Sequence, residues 1–141
     1  MIRLQEGRKM NGETDKDTAY DRLGGEAGVQ ALTQRFYDIM ESDPAYAALR
    51  AMHAPDLTQV REDFAGFLSL WLGGPRDWLT RRGGFCLMSR HAGLGITPET
   101  AGQWLAAMRQ AMEGLVADEA LQHKMDNAFS RLAEAMAWRG R

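Results

Sequence analysis

Between Asp56 and Pro75 the chain reads DLTQVREDFAGFLSLWLGGP, in which Leu57, Val60, Phe64, Phe67, Leu68, Trp71 and Leu72 recur mainly at three- and four-residue intervals. That spacing lines one face of an α-helix, whereas the two sides of a strand alternate residue by residue. Asp56 is placed to cap the segment and Gly73, Gly74 and Pro75 to stop it, so a helix with one buried face is predicted. The same period returns three more times. Val29, Leu32, Phe36, Ile39 and Met40 mark a helix that follows Gly24 and Gly25 and ends near Asp43 and Pro44. Thr97 stands where an N-cap belongs, Pro98 occupies the first helical position, and Trp104, Leu105, Met108, Met112 and Leu115 follow as the apolar stripe. Asp118 opens a last helix faced by Leu121, Met125, Ala128, Phe129, Leu132 and Met136. No segment alternates with period two over a useful length, and no internal repeat is present, so the fold expected is all-α.

Composition narrows the class further. A chain of 141 residues with 45% hydrophobic side chains has the length and apolar content of one globular domain. Its formal net charge of −2 is spread along the sequence without a basic stripe, which argues against a nucleic-acid partner. Cys86 is the single cysteine, so neither an internal disulfide nor a paired-cysteine zinc site is available, in keeping with a reducing compartment. No run approaches the roughly 18 apolar residues of a membrane span. The opening MIRLQEGRKMNGETDKD lacks the apolar core of a signal peptide, and a cytoplasmic protein is expected. Residues 1–17 are polar and aperiodic and read as a mobile extension, leaving 18–141 as the domain.

One stretch breaks the regular pattern. GPRDWLTRRGGFCLMSRHAGLG, from Gly74 to Gly95, is rich in glycine yet carries Trp78, Leu79, Phe85, Leu87 and Met88. A connection that long inside a small domain is usually functional, and this one is too apolar to lie solvated. Two strongly apolar helices, together with a short apolar segment ending in His91, could enclose a planar apolar cofactor.

The order of signals resembles the truncated globins, and among them group II. The resemblance runs from about Tyr20 to Met136 and rests on YDRLGGE, the Phe36-Tyr37 pair in RFYDIM, LRAMHAPDL, FLSLWLGGPRDW, SRHAGLGI and Trp104 in QWLAAMRQAM. Each piece is weak alone; their shared order and spacing are specific. The resemblance implies a two-over-two helical sandwich around haem b, iron protoporphyrin IX, with His91 as the proximal iron ligand. A neutral imidazole is the globin donor that leaves the opposite face of the iron open to a gas. Arg90 and Arg82 are near enough in sequence to reach the haem propionates. Leu57, Phe67, Trp78, Leu87 and Ile96 are expected to wall the cofactor.

On the distal side the resemblance puts Tyr37, Trp104, His53, Val60 and Phe64. Tyr37 and Trp104 offer a phenolic O–H and an indole N–H that a polar ligand can accept from. Val60 and Phe64 cannot ligate iron, which implies a five-coordinate centre. His53 is expected either to reach the ligand or Tyr37 through water or to be a simple turn histidine. Met108, Met112, Met125 and Met136 read as core fillers, and His123 as exposed. Ser89 and Asp77 near His91 do not make a hydrolase triad, because no strand or nucleophile elbow precedes them. This chain departs from the family in the sequence His91-Ala92-Gly93-Leu94 and in Gly83-Gly84-Phe85, changes that loosen the proximal loop.

The expected function is binding of dioxygen, carbon monoxide and nitric oxide, with redox turnover such as nitric oxide dioxygenation or peroxide reduction supported by a reductase. No membrane or nucleic-acid partner is expected, and a monomer or a homodimer is equally compatible. A haem-based gas or redox sensor, and a cofactor-free helical interaction protein, are the other readings the residues leave open.

Overall fold

The computed structural model describes residues 18–78 and 96–139, and every regular element among them is helical. Residues 1–17, 79–95 and 140–141 lie outside the described residues. In chain order the elements are α1 (Ala19–Leu23), α2 (Gly25–Ser42), a 3₁₀ turn (Pro44–Tyr46), α3 (Ala47–Ala51), α4 (Thr58–Trp71), α5 (Pro98–Glu113) and α6 (Glu119–Arg139). Helix α2 packs against both α4 and α5, and α5 packs against α6, giving two helices laid over two.

Local chemistry sets the boundaries. Thr18 caps α1 by accepting from the Asp21 N–H, and Gly24 ends it in the left-handed region at φ 115°. Only glycine holds that conformation without a Cβ clash, and Gly25 follows it at φ 69° to start α2 at once. Helix α2 therefore begins four residues before Val29, the first residue of the apolar stripe that announced it. Thr97 caps α5 with Pro98 at its first position, as the sequence predicts, and Thr100 completes a reciprocal capping box. Asp118 accepts from the Leu121 N–H and opens α6. At α4 the cap differs from expectation. The residue preceding the helix is Leu57, which makes no side-chain cap, and Asp56 acts from one position further out by accepting from Thr58 N–H at 2.9 Å.

The apolar faces meet in one main core holding Val29, Leu32, Phe36, Met40, Leu68, Met108, Met112, Leu121, Met125 and Phe129, with a smaller cluster of Ile96, Ala101, Ala133, Met136 and Ala137 beside it. Two stripe residues fall elsewhere. Leu115 lies past Gly114, the cap that ends α5, and is 40% exposed. Trp71, at the last turn of α4, is 36% exposed, with one ring face stacked against Phe67. The short α1, the 3₁₀ turn and α3 carry too few residues to show a period, which is why the sequence pattern does not announce them.

Two helical glycines differ only in what surrounds them. A Cβ on Gly66 would lie 2.1 Å from the Trp78 ring, whereas one on Gly102 meets nothing within 4 Å. Both replacements by alanine relieve the same backbone entropy. Gly102→Ala should thus add about 0.5–1 kcal/mol, roughly 2–4 °C in Tm, while Gly66→Ala should cost about 1–3 kcal/mol by displacing the indole. Thermal unfolding of both variants checks this, and equal shifts would mean that Trp78 does not pack on Gly66.

Candidate functional site

Helices α2, α4, α5 and α6 and the turn after α3 surround an apolar cavity of about 320 Å³. It lies between the two core clusters. Tyr37, Leu49, Val60, Phe64 and Trp104 bound one side, and Ile96, Ala101, Leu132, Ala133 and Met136 the other. Val60, Phe64 and Phe67 are only half-buried within the stripe of α4 because they face this space.

An aromatic cluster shapes the wall. Phe36 meets the rings of Tyr37, Phe64 and Trp104 at centroid distances of 4.8, 5.7 and 6.1 Å. Tyr37 and Trp104 each meet Phe64 edge-on, at 6.1 and 6.3 Å. These contacts hold both rings in fixed orientations. Neither the Tyr37 hydroxyl nor the Trp104 indole N–H has a hydrogen-bond partner among the described residues. Thr33 Oγ1 is the one fully enclosed side-chain polar atom without a partner there. The two aromatic donors are therefore open to space and not sealed within the packing, and the space beside them is the cavity.

The other polar groups on the wall are engaged. His53 Nδ1 lies 2.9 Å from the Leu49 carbonyl oxygen, which can only accept, so this nitrogen carries a proton and donates it. Thr100 is occupied by the capping box. Asp63 is 8% exposed and accepts from the Gln59 side-chain amide at 3.2 Å and the Trp78 indole N–H at 3.3 Å. A buried carboxylate held by donors at that distance avoids the cost of an unsatisfied buried charge.

Of the residues predicted for a site, the cavity gathers Tyr37, His53, Val60, Phe64, Phe67, Ile96 and Trp104. Leu57 and Trp78, expected on its wall, stand apart from the lining: Leu57 is buried in the main core, and Trp78 turns onto Gly66 and Asp63. His91, Arg90, Arg82 and Leu87 lie outside the described residues. Met136, read as a core filler, lines the cavity, as do Met52, Asp63, Leu132 and Ala133, which sequence reasoning missed. Asp63 did leave a signal, because a carboxylate directly before Phe64 turns inward with the stripe it interrupts.

Burial pushes the Tyr37 phenol well above its ordinary range; the Arg61 guanidinium, 5.6 Å over the ring, opposes this and Asp63 adds to it. Tyr37 thus remains a protonated donor. Its folded pKa exceeds the unfolded value of about 10, so the unfolded chain loses its proton first as pH rises. The resulting stabilisation is complete below pH ~10 and declines above it. Urea unfolding between about pH 8 and about pH 11.5 should show stability falling by up to ~1.4 kcal/mol per pH unit from this group alone. Tyr37→Phe should make that decline shallower, and equal slopes in the two proteins would contradict the shielding of Tyr37. Tyr20 and Tyr46 are raised in the same direction, mainly by burial, and contribute to the slope that remains.

Comparison with known proteins agrees with this geometry. Residues 18–138 match the family model described as bacterial-like globin. The Group 2 truncated hemoglobin YjbI of Bacillus subtilis is 33% identical over 94 residues, covering 67% of this chain and 68% of that protein. The Group II 2-on-2 hemoglobin of Agrobacterium tumefaciens superimposes with a TM-score of 0.83 at 35% identity, over 90% of this chain and 97% of the other. The cold-adapted truncated hemoglobin of Pseudoalteromonas haloplanktis TAC125 gives 0.82 at 37% identity, over 85% and 97%. With its two-over-two helices and the aromatic cavity between them, the chain belongs to the bacterial-like globin family as a group II truncated hemoglobin.

Proposed function

We propose that this protein holds haem b in the cavity between α4 and α5 and binds dioxygen and other diatomic gases there. Globins as a family bind haem and, through it, such gases. The observation that carries the reading for this chain is the pair of open donors, the Tyr37 hydroxyl and the Trp104 indole N–H, on a wall that is mostly apolar and whose other polar groups are engaged. Donors left unpaired in an apolar space lose free energy unless a ligand accepts from them. The residues fit the cofactor: Val60, Phe64, Phe67, Ile96 and Met136 supply apolar surface for a flat ring, and among the described residues no charged side chain besides Asp63 enters the lining.

In this reading His91 would hold the iron, and Arg90 and Arg82 would take the propionates as charge-assisted partners. Haem, when bound, would supply a ferrous iron able to take a gas. Val60 and Phe64 carry no atom that could ligate it and would leave room for the gas. Tyr37 and Trp104 then donate to a ligand that gains electron density, in a site with little water to screen them. Redox turnover, as nitric oxide dioxygenation or peroxide reduction with electrons from a reductase, would use the same pocket and donors. A cytoplasmic location accords with the reducing chemistry such turnover needs.

Two experiments test the proposal. His91→Gly should abolish stable haem uptake or make it depend on added imidazole, while His123→Ala keeps the Soret band; a His91→Gly protein with an unchanged ferrous spectrum would refute the ligand assignment. For the distal side, a hydrogen bond to a charged acceptor contributes roughly 1.5–3 kcal/mol. Tyr37→Phe and Trp104→Phe should each speed dioxygen release by about ten- to a hundredfold and carbon monoxide release far less. In the double variant the two effects should couple, because both donors serve one ligand. Stopped-flow release of both gases decides it. Equal changes for the two gases would mean that the rings act as steric barriers.

A further inference from the structure

The turn between α3 and α4 forms the wall of the cavity nearest solvent. Met52 and His53 there are half-buried, Ala54 is exposed, and all three line the space. Little backbone bonding holds this turn. After the His53 N–H, which donates to the Arg50 carbonyl, the next backbone hydrogen bond among the described residues is Arg61 N–H to the Leu57 carbonyl. The carbonyls of Ala54 and Pro55 are held by one side chain instead. Arg50 donates from Nη1 to the Ala54 oxygen at 3.1 Å and from Nη2 to the Pro55 oxygen at 2.9 Å.

That guanidinium is itself fixed from α2. Its Nη2 lies 3.4 Å from Glu41, and the same carboxylate is 3.5 Å from Arg61, whose guanidinium covers the outer face of Tyr37. Glu41 thus braces both the turn that carries His53 and the cation over Tyr37. A planar fork can reach two carbonyls and a carboxylate at once, which an ammonium on a flexible stem does not reproduce. The bonds lie outside the cavity and touch none of its open donors.

We propose that Arg50 is a positioning residue that keeps this turn closed over the cavity and thereby sets the barrier to ligand passage. The proposal rests on the gas-binding reading above. Opening such a wall lowers one barrier crossed in both directions, so it changes association and dissociation together and leaves affinity nearly unchanged. Loss of a distal donor behaves differently, since it acts on release of a polar ligand alone.

Laser photolysis of the carbon monoxide complex of the full chain tests this, with Arg50→Gln and the milder Arg50→Lys. Bimolecular rebinding should accelerate roughly three- to tenfold in Arg50→Gln. Dissociation should accelerate by a similar factor, and the geminate fraction should fall because more ligand escapes. Arg50→Lys should resemble Arg50→Gln, as charge alone does not make the fork. Amide hydrogen exchange at His53 and Arg61, whose N–H groups make the backbone bonds on either side of the turn, needs no haem and should quicken in both variants. Unchanged rebinding beside an intact Soret band would overturn the proposal, and so would a change in affinity without matching changes in the two rates. Wild-type protein that takes up no haem would overturn the gas-binding reading instead, while unchanged exchange would show that Arg50 does not clamp the turn.

Discussion

Phe36 is fully buried where α2, α4 and α5 converge, and its ring meets Tyr37 at 4.8 Å and 80°, Phe64 at 5.7 Å and Trp104 at 6.1 Å. Trp104 passes the contact on to Phe129 in α6 at 5.6 Å, so one chain of rings ties together all four long helices. Aromatic pairs prefer such edge-on and tilted arrangements, each adding about 0.5–1.5 kcal/mol beyond the area it buries. The arrangement does more than fill space. Phe36 lies behind the cavity and Tyr37, Phe64 and Trp104 lie on its wall, so the interaction that joins the helices also orients the side chains of the site.

Polar contacts on the outside set positions more than they add energy. Exposed ion pairs contribute little, commonly below about 1 kcal/mol, yet several here sit at element ends. Asp118 caps α6 and also takes the Arg22 guanidinium at 2.6 Å, which fixes the start of the last helix against α1. That arginine, with the Leu121 N–H behind it, holds the Asp118 carboxyl below its ordinary range. Arg35 donates to the Ala111 carbonyl near the end of α5 and packs over Gly114, closing the helix where Leu115 would otherwise have extended it. Arg109 reaches from α5 to Asp126 in α6 at 2.6 Å. The apolar faces supply the energy of the sandwich, and these side chains select its register.

The four long helices were legible because each buries a stripe of period 3.6 and starts at a recognisable cap. Thr97 with Pro98 and the Gly24-Gly25 pair are local signals whose physics does not depend on the remainder of the fold. The cavity was legible only from one side. Tyr37 and Trp104 carry donor groups that a polar ligand needs, which marks them out in the sequence. Ala133 and Met136 carry none and follow the same stripe as Phe129, and nothing in a period separates a side chain that packs on a neighbour from one that faces a void. Trp78 shows the converse. The family resemblance puts it among the residues around the cofactor, and among the described residues its ring fills the gap left by Gly66 while the Asp63 carboxylate takes its N–H. A glycine about one and a half turns from the end of α4 and a carboxylate inside the stripe are unremarkable separately, and only folding brings them to the same indole.

The composition of the wall argues for the kind of ligand it suits. A helix satisfies its own backbone, so the polarity of a cavity among helices is decided by side chains. Thr100 spends its hydroxyl on the cap of α5, the His53 Nδ1 proton is committed to the Leu49 carbonyl, and Asp63 accepts from Gln59 and Trp78. What remains open among these groups is a pair of donors, the Tyr37 hydroxyl, kept protonated by burial, and the Trp104 indole N–H, which has no acidic range near neutrality. Two donors held by one aromatic junction favour a small ligand that accepts at one end and tolerates apolar surface elsewhere. The Trp104 indole can only donate, whereas the Tyr37 hydroxyl can donate and accept, so the pair favours an acceptor most strongly on the Trp104 side. The rigidity that Phe36 gives both rings is what lets so small a difference count.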